Sequence, residues 1–233
     1  MDHTCHFTVG NANLVGTLHR PSGERPPVVI GAHGLLGTRE SAKQVALAEA
    51  CAAAGMAFLR FDHRGCGDSD PADTRSDLLS QRVADLLAAV SWVKARQDLG
   101  DRFGLFGSSM GGAACLAAAP ACNPGAVVTW AAPISSDGVT VNRHEAGQFP
   151  ALNVRPFDVT KHLAAIGRIL ICHGDEDAVV PVAHARAIFS QVDTPRHLII
   201  FPETGHRMSH QRHHPRFLSE AVHWFARFLT PTL

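Results

Sequence analysis

With 233 residues, 21 Lys plus Arg balanced by 21 Asp plus Glu, and 45% hydrophobic residues, the chain can bury one sizeable core and carries no net field favouring nucleic acid, an anionic membrane or a polyanionic substrate. The amino terminus lacks the basic-then-apolar pattern of a signal peptide, and no run approaches the ~20 apolar residues of a membrane span, so a soluble cytoplasmic protein is expected. The six cysteines, Cys5, Cys51, Cys66, Cys115, Cys122 and Cys172, include no C-x-x-C pair, which favours free thiols over a disulfide framework or a zinc site. Fifteen histidines make the charge sensitive to mild acid.

In chain order, Cys5 to Val9 and Leu14 to His19 are β-prone runs joined by Gly10-Asn11-Ala12-Asn13, the pattern of an antiparallel hairpin. Val28 to Ala32 is a short apolar run suited to a buried parallel strand and ends in His33-Gly34-Leu35-Leu36-Gly37. A helix period from Ser41 ends near Gly55, and Met56 to Phe61 reads as the next strand. The Gly- and Asp-rich run Asp62 to Asp70 must be a loop. Leu78 to Ala95 follows as an amphipathic helix whose core stripe is Leu79, Val83, Leu86, Leu87, Val90 and Val93.

Strands are expected at Phe103–Phe106, Ala126–Trp130, Arg168–Cys172 and His197–Phe201, and helices at Val182–Gln191 and Pro215–Leu229. Strands alternating with helices imply a mostly parallel α/β sheet covered on both faces, and no repeat or linker divides the chain, so residues 1–233 are expected to form one domain.

Phe103 to Gly112, F-G-L-F-G-S-S-M-G-G, runs from strand through a sharp turn into an Ala-rich helix. The spacing G-x-S-x-G selects Ser109 rather than Ser108 as a serine on a strained turn, with glycines two residues either side letting strand and helix pass closely. A nucleophilic serine needs a base, and the base an orienting acid. His173-Gly174-Asp175-Glu176-Asp177 lies just beyond one later strand and Thr204-Gly205-His206 beyond another. Carboxyl ends of parallel strands share one edge, so Ser109, Asp177 and His206 should converge, in the chain order expected of a triad on this architecture. The Met110 and Leu35 backbone amides are the expected oxyanion donors.

With these residues in place the chain resembles the α/β-hydrolase superfamily, and its small esterases and serine-peptidase-like members in particular. H-G-L-L-G at 33–37, R-F-D-H-R-G-C-G-D-S at 60–69, G-S-S-M-G at 107–111, H-G-D-E-D-A-V-V-P at 173–181 and G-H at 205–206 carry the resemblance. It implies an α/β-hydrolase fold with an N-terminal antiparallel hairpin and a small or absent cap, and a cofactor-free serine hydrolase. It also implies Asp177 as the loop carboxylate, with Asp175 and Glu176 as local competitors, a loop-shaping role for His33, and a structural role for the loop around Asp62 and Arg64.

The expected activity is hydrolysis of small-molecule carboxylic esters through an acyl-enzyme. A peptidase, thioesterase or acyltransferase is the runner-up, and a non-catalytic binding protein is disfavoured because every triad position is filled. His33, Trp130, Phe149 and Phe157 are candidates to line the substrate pocket, with apolar packing as the alternative for the aromatics. The segment 131–167 should form a short irregular flap with one helix near Val159 to Ile166. His206, His210, His213 and His214 could suggest a metal, but Arg207 and Arg212 among them oppose a cation, so no metal is expected. Nothing in the sequence sets an oligomeric state.

Overall fold

The computed structural model describes residues 2–140, 155–208 and 213–230. Strands β1 (Asp2–Val9) and β2 (Ala12–His19) form the antiparallel hairpin, pairing as far as Val9 opposite Ala12, with Gly10 at φ 57° in the turn. The strands therefore start earlier than the β-prone runs suggest, because backbone pairing continues through the polar residues up to the turn. Next come β3 (Val28–Ala32), α1 (Ala42–Ala53), β4 (Ala57–Phe61), α2 (Leu78–Lys94), β5 (Phe103–Ser108), α3 (Met110–Cys122) and β6 (Ala126–Trp130). A 3-10 turn (Thr160–Ala165), β7 (Ile169–Gly174), α4 (Ala183–Gln191), β8 (Arg196–Phe201) and α5 (His214–Leu229) complete the order.

The sheet has eight strands in the order β1-β2-β4-β3-β5-β6-β7-β8. β1, β2 and β4 pair antiparallel, and every pairing among β3 to β8 is parallel. Strands β3, β4, β5 and β6 are buried along their apolar lengths, as expected of a sheet covered on both faces. One face packs on α1 and α5 through Phe58, Phe106, Trp130, Phe217 and Phe225. The other packs on α2 and α3 through Ile30, Leu59, Leu105, Leu86 and Val90. The carboxyl ends of β3 to β8 thus share one edge. No helix among the described residues is long and apolar enough to cross a membrane. Most of the expected flap, including Phe149, lies outside the described residues, while the helix expected near Val159 to Ile166 is the 3-10 turn.

Helix α2 departs from the expected stripe. Leu86, Val90 and Val93 are buried as expected, whereas Leu79, Val83 and Leu87 are only partly covered. The buried face instead runs through Leu78, Gln81, Arg82, Asp85, Leu86 and Ala89. It carries charge because it faces two loops at the sheet edge rather than apolar strand alone. Arg82, 1% exposed, donates to the carbonyls of His33 (2.9 Å), Gly34 (3.3 Å) and Leu35 (2.9 Å). Asp85 accepts from the Arg64 side chain (2.6 Å) and amide (3.1 Å) and from His63 Nδ1 (3.3 Å). Asp62 fixes the other end of the same loop, accepting from the amides of Arg39 (2.7 Å) and Asp68 (3.1 Å) and from the Arg39 guanidinium.

Arg82 therefore holds the turn after β3 by its carbonyls, leaving that turn's amides free to face elsewhere. Replacing it by methionine keeps most of the volume but strips the His33 and Leu35 carbonyls of their donor, at roughly 1–3 kcal/mol each if left unsatisfied, while Gly34 O keeps the Gly37 amide and His33 Nδ1. Arg82→Met should cost about 2 kcal/mol or more of stability, read as a lower urea midpoint, and speed amide hydrogen exchange at Leu35 and Leu36 ahead of the sheet. An unchanged midpoint would show that the turn holds its shape without this side chain.

Candidate active site

Ser109 sits between β5 and α3 with φ 54° and ψ −123°, a left-handed backbone region that non-glycine residues rarely occupy. The turn is held by three backbone hydrogen bonds: the Ser109 amide donates to Trp130 O (2.8 Å), and the amides of Gly112 (2.8 Å) and Ala113 (3.1 Å) donate to Ser109 O. Both flanking glycines are required sterically. A Cβ on Gly107 would lie 2.6 Å from the Gly112 Cα, and one on Gly111 would lie 2.6 Å from the His33 carbonyl oxygen. Close passage of strand, helix and the turn after β3 thus brings the serine hydroxyl out over the sheet edge.

The loops after β7 and β8 are laced together beside it. The Glu176 amide donates to Thr204 O (3.1 Å), Thr204 Oγ1 donates to Pro202 O (2.8 Å), and the Thr204 amide reaches Asp175 Oδ1 (3.4 Å). This brings His206 and Asp177 together, with His206 Nδ1 2.8 Å from Asp177 Oδ2 and His206 Nε2 3.0 Å from Ser109 Oγ. Asp175 faces the Thr204 amide instead. The Asp177 Oδ1 accepts the amides of Val179 and Val180, both at 2.9 Å. His173 Nε2 stands 3.3 Å from Asp177 Oδ2 and donates to Val180 O at 2.9 Å. Burial pushes the Asp177 carboxyl up, but hydrogen bonds from His173, His206 and the Val180 amide outweigh it and hold the group well below the usual carboxylate range. Asp177 is therefore an anion at neutral pH, able to fix the imidazole tautomer with its proton on Nδ1.

A cavity of about 690 Å³ opens beside Ser109, lined in part by His33, Leu35, Met110, Phe157 and His206. Met110 is the first residue of α3, and the amides of a first helical turn have no intrahelical acceptor. The Leu35 and Met110 amides make no hydrogen bond among the described residues, and both residues reach the cavity wall. His33 is wholly buried. Its Nε2 accepts the His63 amide (3.1 Å), which leaves Nδ1 to donate to Gly34 O (2.8 Å). Burial, aided by the charges of Arg82 and His63, keeps this imidazole neutral, its pKa well below the ordinary value. Both ring nitrogens serve the backbone, so His33 shapes the loop.

Trp130 does not line the cavity. It is wholly buried, with its ring 5.4 Å from that of Phe201 and 5.5 Å from that of Phe217, because strand alternation puts it on the same face as Ala126 and Val128. Its Nε1 donates to His206 O at 2.8 Å, so it anchors the histidine from behind. Sequence reasoning missed the supporting roles of His173 and Arg82 and gave Trp130 the wrong one; an indole at the end of a buried strand was the available signal for the last. Of the C-terminal histidines, His210 lies outside the described residues together with Arg212, and among the described residues no group of three or more His, Cys, Asp or Glu is placed to hold a metal.

Comparisons with known proteins bear on the fold and the family. The chain is 27% identical over 177 residues to the uncharacterized protein YfhR of Escherichia coli O157:H7, covering 73% of this chain and 61% of that protein, so it spans about three fifths of that relative's length. Its fold superposes on Est1E of Butyrivibrio proteoclasticus, determined with ferulic acid bound, with a TM-score of 0.79 at 21% identity, covering 97% of this chain and all of the other. It superposes on XC6422 of Xanthomonas campestris, described as an α/β serine hydrolase without a lid, with a TM-score of 0.75 at 22% identity over 100% and 97% of the two chains. The family model described as serine aminopeptidase, S33, matches residues 23–150, more than half of the sequence, and the chain accordingly belongs to that family of α/β-hydrolases.

Proposed function

We propose that this protein is a serine esterase that cleaves small carboxylic esters through an acyl-enzyme intermediate. The observation that carries the reading is the continuous hydrogen-bonded line from Ser109 Oγ through His206 to Asp177. In the first half-reaction Ser109 Oγ adds to the ester carbonyl as His206 Nε2 takes its proton, and the carbonyl oxygen becomes an anion held by the Leu35 and Met110 amides. Collapse expels the alcohol, which receives the proton from His206. Water then repeats the sequence on the acyl-serine and releases the acid. Asp177 stays ionised throughout and stabilises the imidazolium formed in each step.

The family's description raises a second reading, an aminopeptidase. Such an enzyme must neutralise the α-ammonium of its substrate, and no carboxylate lines the cavity among the described residues. This supports an ester without a free amino group.

The triad predicts specific losses. A fluorophosphonate should label Ser109 alone, and Ser109→Ala should abolish labelling and ester turnover, while Ser108→Ala should keep much of both; turnover by a folded Ser109→Ala protein would sink the mechanism. Asp177→Asn should reduce kcat by up to about 10⁴-fold, as loss of the orienting carboxylate does in another serine hydrolase, and labelling should slow with it. EDTA should leave turnover unchanged; zinc-dependent rescue after chelation would instead demand a metal.

Acyl length tests the shape of the site. Ser136, Thr140 and Arg155 interrupt the otherwise apolar wall made by Leu35, Leu36, Val139 and Phe157, so an acyl chain gains about 0.8 kcal/mol per buried methylene only as far as those polar groups. Among p-nitrophenyl esters, turnover should be best from acetate to butyrate and fall beyond hexanoate. A specificity constant rising steadily to dodecanoate would require a deep acyl channel.

A further inference from the structure

The turn that carries Asp177 is closed by hydrogen bonds, and His173 supplies one side of the closure. His173 belongs to β7 and is wholly buried. Its Nε2 donates to Val180 O at 2.9 Å and stands 3.3 Å from Asp177 Oδ2. One N–H thus faces the carboxylate at the start of the turn and the carbonyl at its end. The Val180 amide returns the tie by donating to Asp177 Oδ1 at 2.9 Å, beside the Val179 amide at the same distance. With His206 Nδ1 2.8 Å from Oδ2, each carboxylate oxygen faces two N–H groups. Rotating the carboxylate about its Cβ–Cγ bond would break contacts on both oxygens at once.

Stability alone gives a weak reason for a histidine at this position. Its Nδ1 is buried without a hydrogen-bond partner among the described residues, and an unsatisfied buried nitrogen offsets much of what one bond to Val180 O contributes. The preceding residues of β7, Ile169, Leu170, Ile171 and Cys172, are apolar and buried, so leucine would suit the strand. What leucine would lack is a donor where Nε2 stands. The turn also forms part of the cavity wall. Val179 and Val180 both line the cavity, and the Thr140 amide donates to Val179 O at 2.8 Å. A substrate resting on Val180 therefore bears on the same turn that aims Asp177.

We infer that His173 is a positioning residue, whose Nε2–H fixes the Asp177–Val180 turn so that Asp177 Oδ2 keeps facing His206 while that imidazole takes and returns the serine proton. His173 is absent from the described cavity wall, so it acts through Asp177 and touches no reacting atom. The proton moves between Ser109, His206 and the leaving group, and His173 keeps its own throughout. Charge that develops on His206 then meets a carboxylate already held in place, with no loop to reorganise at that moment. The inference rests on the esterase reading for its kinetic consequence, though not for the contact itself.

The kinetic test compares His173→Leu, which removes the donor, with His173→Gln, whose amide can place an N–H near the same point. With p-nitrophenyl butyrate, His173→Leu should lower kcat roughly tenfold or more, the scale of one hydrogen bond to a charged group, and leave KM within about twofold of wild type. His173→Gln should recover most of the loss, and rates of fluorophosphonate labelling at Ser109 should follow the same order. In an Asp177→Asn background the leucine change should cost about twofold or less, because the carboxylate through which His173 acts is gone. An unchanged kcat in folded His173→Leu, a loss confined to KM, no recovery with glutamine, or the same loss in both backgrounds would overturn the role.

A spectroscopic test requires no His173 variant to fold. Nitrogen NMR of histidine-labelled wild-type protein should find the His173 proton on Nε2, and Asp177→Asn should shift that Nε2–H signal. A bare Nε2, or a signal indifferent to Asp177→Asn, overturns the contact and the role with it. Failure of fluorophosphonate to label Ser109 in wild-type protein would count against the esterase reading instead, and the nitrogen signal would then decide whether His173 holds Asp177.

Discussion

A serine with positive φ is a local cost, of order 1–3 kcal/mol for a non-glycine residue, and the rest of the site depends on its being imposed. No preference of Ser109 itself selects φ 54°. The conformation is forced by what surrounds it: β5 paired on both sides, α3 starting at the next residue, and two glycines without which strand, helix and the turn after β3 would collide. The same contact that strains the serine brings the His33 and Ala32 carbonyls against Gly111. The turn after β3 and Ser109 are therefore placed by a single packing event, and neither can shift without the other.

His206 and Asp177 arrive beside Ser109 by another route. The loops after β7 and β8 are fixed to each other through Thr204, and to the sheet through the Trp130 indole on the His206 carbonyl. Because β6 also receives the Ser109 amide through Trp130 O, one strand end holds the backbone of both His206 and Ser109. That explains how residues 97 positions apart keep a 3.0 Å approach without a covalent tie: each is referenced to the same residue of a central strand, which has little freedom to move in a close-packed sheet.

The legible parts of this arrangement were those in which spacing along the chain is the physical requirement. Gly107, Ser109 and Gly111 are such a case, since a close approach needs glycine wherever it occurs. The strand, loop and acid order of 169–177 is another. Choosing Asp177 over Asp175 needed more than spacing, because both are loop carboxylates; in the structure the Val179 and Val180 amides single out Asp177. Trp130 was misplaced because an aromatic residue at a strand end reads equally as wall or core. Only the face occupied by Ala126 and Val128 decides between them. Arg82 was illegible for a different reason: helix periodicity gives a helix a face, while its rotation about its own axis is set by packing. The observed face of α2 differs from the apolar stripe by enough to bury an arginine and an aspartate.

Balanced net charge said nothing about any of this, and the reason lies in where the acids are spent. Three buried carboxylates stand at or near the carboxyl edge of the sheet. Asp62 is taken by Arg39 and two amides, Asp85 by Arg64 and His63, and Asp177 by His206, His173 and two amides. Each neutralises its own loop at hydrogen-bonding distance, where the interaction is strong because water is excluded. Loops rich in aspartate thereby become a scaffold whose negative charge is consumed internally, and the surface they present to the cavity is neutral or cationic. Sign along the described cavity wall is thus a consequence of how the loops are held, and a chain with equal numbers of acids and bases can still present a one-signed wall among its described residues.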